Sequence, residues 1–438
     1  MHPTLAAVPV PSSLPAHQVL VFLLQIGLLL GLALILGRLA VRLGMAAVVG
    51  ELCTGILAGP SVLGHALPGL SAWLLPARPG QMHLLDAVGQ LGVILLVGLT
   101  GVEIDLTFAR RRAATTGWIS AVGLVLPLAA GVGVGLLLPA AMIAPGTSRT
   151  VFAFFVGVAL CVSAIPVIAK TLLELDLLHR DIGQMIMTAA AVDDTIGWLL
   201  LSVAAAAATT GLRMTRLTLS VTLLLAAVVL AATVGRAAVN QVLRLSARAP
   251  EPGPGLSAAV LILLLFAAGA QAVGTEPVFG GFLGGLVIAS SRWADRAQLA
   301  SLRTVVMNWL APVFFATAGL RMDLTALARP AILIAALALL AVAVVAKFGG
   351  VYAAARLRRI GHWDSVALGI GLDTRGVIGI IIALTGLQLG VFDSATYTVI
   401  VLIAVITSVI SPPVLRYATR RSGISAEETE RVRVRTAA

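Results

Sequence analysis

Apolar runs, each about as long as a bilayer-crossing helix, recur along the chain with short polar connections between them. They predict thirteen helices, over 19–41, 45–63, 84–104, 116–138, 150–175, 182–209, 216–245, 256–274, 277–291, 302–321, 330–355, 364–389 and 393–416, numbered here in chain order. Residues 1–18, which lack Lys and Arg, are expected to form an extracytoplasmic segment, and 417–438 a short, mixed-charge cytoplasmic tail. The expected fold class is an all-α polytopic membrane protein.

Polar residues interrupt this pattern most sharply in helix 6, which carries Asp193 and Asp194 near its middle. Two central aspartates cost about 5–7 kcal/mol to insert, whereas each Leu, Ile or Val returns only about 0.3–0.6. The eight such residues of helix 6 offset roughly 2.4–4.8 kcal/mol, so the acids lose that comparison in lipid. They need a polar cavity or a cationic partner, and intramembrane acids of this kind are candidate functional groups. A cation is available in Lys347 of helix 11, nine residues or roughly 13 Å from Arg356 and too deep to snorkel easily. A lysine can release a proton, which an arginine in a protein does not, and Lys347 is the candidate partner of Asp193. Adjacent positions on a helix differ by about 100° in direction. The other acid, Asp194 by preference, then faces a water-filled cavity where a proton and a small cation compete for the same oxygens.

An internal repeat organises these helices. Gly101-Val102-Glu103-Ile104-Asp105-Leu106-Thr107 at the end of helix 3 echoes Gly319-Leu320-Arg321-Met322-Asp323-Leu324-Thr325 at the end of helix 10. Gly50 and Gly55-Ile56-Leu57 of helix 2 echo Gly280 and Gly285-Leu286-Val287 of helix 9. Helices 2–6 and 9–13 therefore read as two copies offset by seven spans, an odd number, so the copies are inverted. Inverted repeats are the sequence signature of alternating-access transporters. The repeat also pairs helix 5 with helix 12, and each has a mid-span breaker: Ser163-Ala164-Ile165-Pro166, where proline removes a backbone donor, and Asp373-Thr374-Arg375-Gly376. Crossed broken helices would aim free backbone groups and half-helix dipoles at a bound ion.

Composition supports a membrane protein: 59% of the 438 residues are hydrophobic, 11% are charged, and the mean hydropathy is +1.04. The net charge of +11 follows lipid topology rather than nucleic-acid binding. Loops after the odd-numbered helices hold 21 basic residues and those on the other side 6, which puts the N-terminus outside and the C-terminus in the cytoplasm. Of the 30 basic residues 28 are Arg, and this Ala/Arg/Gly-rich, Lys-poor usage points to a bacterium of high GC content and to its cytoplasmic (inner) membrane. Cys53 and Cys161 fall in apolar helices, leaving no disulfide framework or cysteine metal site. No cofactor, nucleotide or nucleic acid is expected.

Other polar residues read less specifically. Glu51 and Glu276 are candidates, although Thr275-Glu276-Pro277 equally suits a helix start. Asp373 and Arg375 could form a local ion pair that offsets half-helix dipoles. Lys170 is expected to snorkel, His179 and His362 to lie in cytoplasmic loops, and Gly131-Val132-Gly133-Val134-Gly135 to be helix-packing sequence rather than a nucleotide loop.

Val158–Lys170, Ala191-Val192-Asp193-Asp194, Pro312–Leu320 and Ala346-Lys347 in this order resemble the monovalent cation:proton antiporter-2 family over essentially the whole transmembrane region. The resemblance implies a sodium/proton antiporter fold with crossed broken helices 5 and 12. It implies a core domain (helices 4–6 and 11–13) moving against a dimerisation domain (helices 1–3 and 8–10) in a homodimer. Carried over by position, Asp194 is the main cation and proton ligand and Asp193 pairs with Lys347, with Ser163, Asp373 and Arg375 in support. Members with Asp-Asp and the lysine tend to be electrogenic. Asp373 departs from the family, which often has Asn or another uncharged residue there, and the chain lacks the nucleotide-binding domain of the potassium-efflux branch. The reading is an antiporter exchanging Na+ or K+ for H+. Its rivals are a sodium-coupled symporter or exporter of an organic ion, and an intramembrane aspartyl protease built on Asp194 with Asp373.

Overall fold

A computed structural model describes residues 14–75, 79–102, 113–175, 177, 180–210, 222, 226, 228–248, 253–273 and 275–422. The regular secondary structure among these residues is helical, without strands apart from one isolated bridge between Ile143 and Phe392. Among the described residues, eleven helices are long and apolar enough to cross a membrane, and two shorter apolar helices, Arg149–Cys161 and Pro277–Ala289, lie at the positions of helices 5 and 9. Helix 7 is described from Val228 to Ser246, the earlier part of its run lying outside the described residues. Glu103–Thr107 of the repeat signature, and His179, also lie outside them.

The two repeats interlock rather than lie side by side. A Cβ on Gly55 of helix 2 would collide with the Ala316 carbonyl of helix 10, and one on Gly319 with the Leu52 carbonyl of helix 2. The equivalent seam joins helices 3 and 9, where a Cβ on Gly285 would strike the Gly98 carbonyl and one on Gly101 the Phe282 carbonyl. The glycines that echo each other, Gly55 with Gly285 and Gly101 with Gly319, are therefore exchanged across the copies: Gly55 packs against Gly319 and Gly101 against Gly285. Small residues permit this backbone approach, the usual basis of helix association in lipid. Gly131 and Gly135 do the same for helix 4 against Gly157 and Ala153 of helix 5.

Helices 5 and 12 are both broken. Helix 5 runs from Arg149 to Cys161, opens at Val162-Ser163-Ala164, and resumes from Ile165 to Glu174. Its Pro166 is second in the new half-helix, where the lost N–H has no intrahelical partner anyway. Helix 12 runs from His362 to Leu372 and from Val377 to Gln388. The breaks meet: the Ala164 N–H donates to the Thr374 carbonyl at 3.1 Å. Helix 10 carries a π-turn at Val306–Leu310, a local irregularity common beside functional sites.

Candidate functional site

Helix 6 spans Asp181–Thr210 and carries both aspartates past the break of helix 5. Asp193 and Lys347 are both 0% exposed, and the ammonium donates to Asp193 Oδ2 at 2.6 Å and to the Cys161 carbonyl at 2.6 Å. Cys161 ends the first half of helix 5, so Lys347 neutralises a carboxylate and also satisfies a helix C-terminus. Ser120 of helix 4 donates to Asp193 Oδ1. Ser163 Oγ lies 2.7 Å from Asp193 Oδ2 and 2.7 Å from the Leu372 carbonyl, and its single hydrogen serves one of them at a time. That serine links helix 6 to the ends of both broken helices.

Asp194 differs in its partners. It is 1% exposed, makes no ion pair to a described residue, and its Oδ1 has no hydrogen-bond partner among them. The Ile165 N–H lies near its carboxyl, and Ile165 opens the second half of helix 5, so a positive half-helix end faces this acid.

At the break of helix 12, Arg375 Nη2 donates to the Leu160 carbonyl at 2.8 Å and the Ala343 carbonyl at 2.9 Å. Asp373 Oδ1 lies 3.3 Å from the same nitrogen but accepts no hydrogen bond, because both Nη2 hydrogens are committed to the carbonyls. The expected local ion pair is present, and Arg375 doubles as a cap for the first half of helix 5. Ser408 of helix 13 donates to the Arg375 carbonyl, and Thr374 donates to Ser411 Oγ at 2.5 Å.

A cavity of about 490 Å³ approaches the breaks from one end of the protein. Arg38, Arg42 and Glu51 line it, with Met307 and Asn308 supplied by the π-turn, and Val167 and Val377 come from the half-helices just past the breaks. Neither Asp193 nor Asp194 lines it.

The sequence-predicted residues Asp193, Lys347 and Ser163 are thus in direct contact, Asp373 contacts Arg375, and Asp194 sits beside them at the helix 5 break. Ser120, Ser408 and Ser411 were not singled out by sequence. Hydroxyls are common in membrane helices, and only Ser120's place in an apolar stretch of helix 4 marked it. His362 is the first residue of helix 12 rather than a free loop histidine, with its Nδ1 3.0 Å from Tyr352 Oη.

Comparison with known proteins follows this geometry. The sodium/hydrogen exchanger transmembrane family matches residues 28–419. The chain is 29% identical over 405 residues to the Na+/H+ antiporter NhaS4 of Synechocystis sp., covering 91% of this chain and 97% of that one. It is 28% identical over 397 residues to the Na+/H+-K+ antiporter GerN of Bacillus cereus, covering 90% and 96%. Against cation/H+ antiporter 19 of Arabidopsis thaliana it is 30% identical over 375 residues, spanning 46% of that longer protein. The fold is shared with the sodium proton antiporter MjNhaP1 from Methanocaldococcus jannaschii, at a TM-score of 0.64 and 15% identity over 92% of this chain and 97% of that one. With some nine-tenths of its length matched by one family and by full-length relatives, the chain belongs to the sodium/hydrogen exchanger family and is a multi-pass membrane transporter, not an enzyme.

Proposed function

We propose that this protein exchanges a monovalent cation, Na+ or K+, for protons across the bacterial cytoplasmic membrane by alternating access. The observation that carries the reading is the contrast in pairing at the crossed breaks. Lys347 and Arg375 are matched by Asp193 and Asp373, leaving Asp194 as the buried carboxylate with no cationic partner among the described residues. A buried charge without a counter-ion is unstable, so Asp194 is best occupied either by a proton or by a small cation. Each occupant excludes the other, and when the site moves between faces, exclusive occupancy becomes exchange. Asp193 supports this by holding Lys347, and Ser163 and Arg375 hold the half-helix ends in place.

The inverted repeat supplies two related conformations of one scaffold, as alternating access requires. In this reading helices 4–6 and 11–13 form the moving core, and helices 1–3 and 8–10 form the dimerisation domain of a homodimer. The N-terminus lies outside and the C-terminus in the cytoplasm, as the arginine distribution indicates.

Proteoliposomes holding a trapped pH indicator test the reading. Addition of Na+ or K+ should evoke proton movement, and Asp194→Asn should abolish it. Full exchange by the variant would overturn the assignment, and cation flux indifferent to a proton gradient would favour symport.

A further inference from the structure

A second cavity, of about 440 Å³, lies at the opposite end of the seam between helices 3 and 10. Extending the glycine correspondence of the repeats aligns Gln90 with Asn308, Leu96 with Phe314, Ala46 with Glu276 and Ala47 with Pro277. In every pair, one residue lines the first cavity and its counterpart lines the second. The two cavities are therefore equivalent under the inverted repeat and open toward opposite faces. Their chemistry is not equivalent. The first presents Arg38 and Arg42 against the single acid Glu51. In the second, Asp86 is matched by Arg321 Nη2 at 2.5 Å, which leaves Glu276.

Glu276 occupies the N-cap position of helix 9 but makes no capping hydrogen bond. The helix-start role suggested by Thr275-Glu276-Pro277 is therefore met by Pro277 at the first helical position, and the carboxyl is left over. It makes no hydrogen bond or ion pair to a described residue, and burial in the connection between helices 8 and 9 pushes its carboxyl above the usual range. Gln90, Gln271 and Gln388 line the same cavity, and amide and carboxylate oxygens suit hard cations.

We propose that Glu276 is a cation-collecting residue of the second cavity and makes cation affinity differ between the two faces of the transporter. A net negative charge in a cleft with low-dielectric walls concentrates cations at its mouth, whereas the arginines of the first cavity repel them. Among the described residues, the titratable and charged groups that line the cavity with Glu276 are His83, Asp86 and Arg321. The collecting effect is present while Glu276 is ionised and is lost as pH falls through its raised pKa.

This inference rests on the antiporter reading, and the test separates the two. Cation KM is measured for Na+ and K+ at each face, in right-side-out and everted membrane vesicles, for the parent, Glu276→Gln and Glu276→Asp. Glu276→Gln is expected to raise KM at the Glu276 face about 3–10-fold, with a change of less than about twofold at the other face. Glu276→Asp should keep most of the parent affinity. The difference between faces should shrink in high choline chloride, where the shortened Debye length screens the carboxylate. Equal shifts at both faces, or no shift at either, overturn the role of Glu276 while leaving antiport intact. Absence of exchange by the parent chain overturns the reading beneath it. Exchange retained at the opposite face shows that Glu276→Gln is folded.

Discussion

On one side of helix 6, Asp193 receives hydrogen bonds from an ammonium and from serine hydroxyls on two other helices. One residue later, Asp194 is as deeply buried but faces only a half-helix N-terminus, and its Oδ1 stays unbonded. Burial alone therefore does not separate the two acids; the supply of fixed donors does, and the proposed exchange rests on that difference. A carboxylate saturated by permanent partners has no capacity for an exchangeable one. The two acids meet different surroundings because neighbouring helix positions point in different directions, and the proposed division of roles follows from that.

The largest effect should come from removing each acid's own function. Asp194→Asn is expected to abolish exchange while raising the unfolding midpoint in detergent, because it deletes a buried charge that lacks a fixed counter-ion. A marked fall in that midpoint would show that Asp194 is structural after all. Lys347→Ala should instead destabilise by about 3–5 kcal/mol, since it leaves Asp193 buried and uncompensated. Adding Asp193→Ala should recover part of that loss, and simple additivity in the cycle would mean the pair is not coupled. Ser120→Ala removes one hydrogen bond to a charged acceptor and should cost about 1.5–3 kcal/mol in chemical unfolding. Asp373→Asn should be the mildest, because Asp373 Oδ1 accepts no hydrogen bond and Arg375 keeps both its carbonyl partners. A cost matching that of Lys347→Ala would equate the two ion pairs and erase the contrast.

Much of this site was legible in the chain itself. The insertion cost of two central aspartates demanded a partner, and the depth of Lys347 named one. The repeat pointed to helices 5 and 12 as the broken pair, because Pro166 and the Asp373–Gly376 stretch occupy matching positions. What stayed hidden was the role of backbone. Nothing in a sequence shows that the carbonyls of Leu160 and Cys161 end a half-helix, so the capping work of Arg375 and Lys347 could not be seen. Ser120 was missed because a hydroxyl in a membrane helix usually bonds its own preceding turn, as Thr188, Thr195 and Ser202 do here. In the sequence Glu276 reads equally as a functional acid and as part of a helix start. Only the cavity and the absent capping bond removed that explanation.

The swapped glycine seams also bear on how this chain could be divided. A fragment ending after helix 7 would keep the notches at Gly55 and Gly101 but lose the ridges that fill them, Ala316 and Phe282 lying in the other half. Two separately synthesised halves would each present an unfilled groove to lipid until they found one another. The scaffold is indivisible in that sense: its symmetry relates parts that are complete only together.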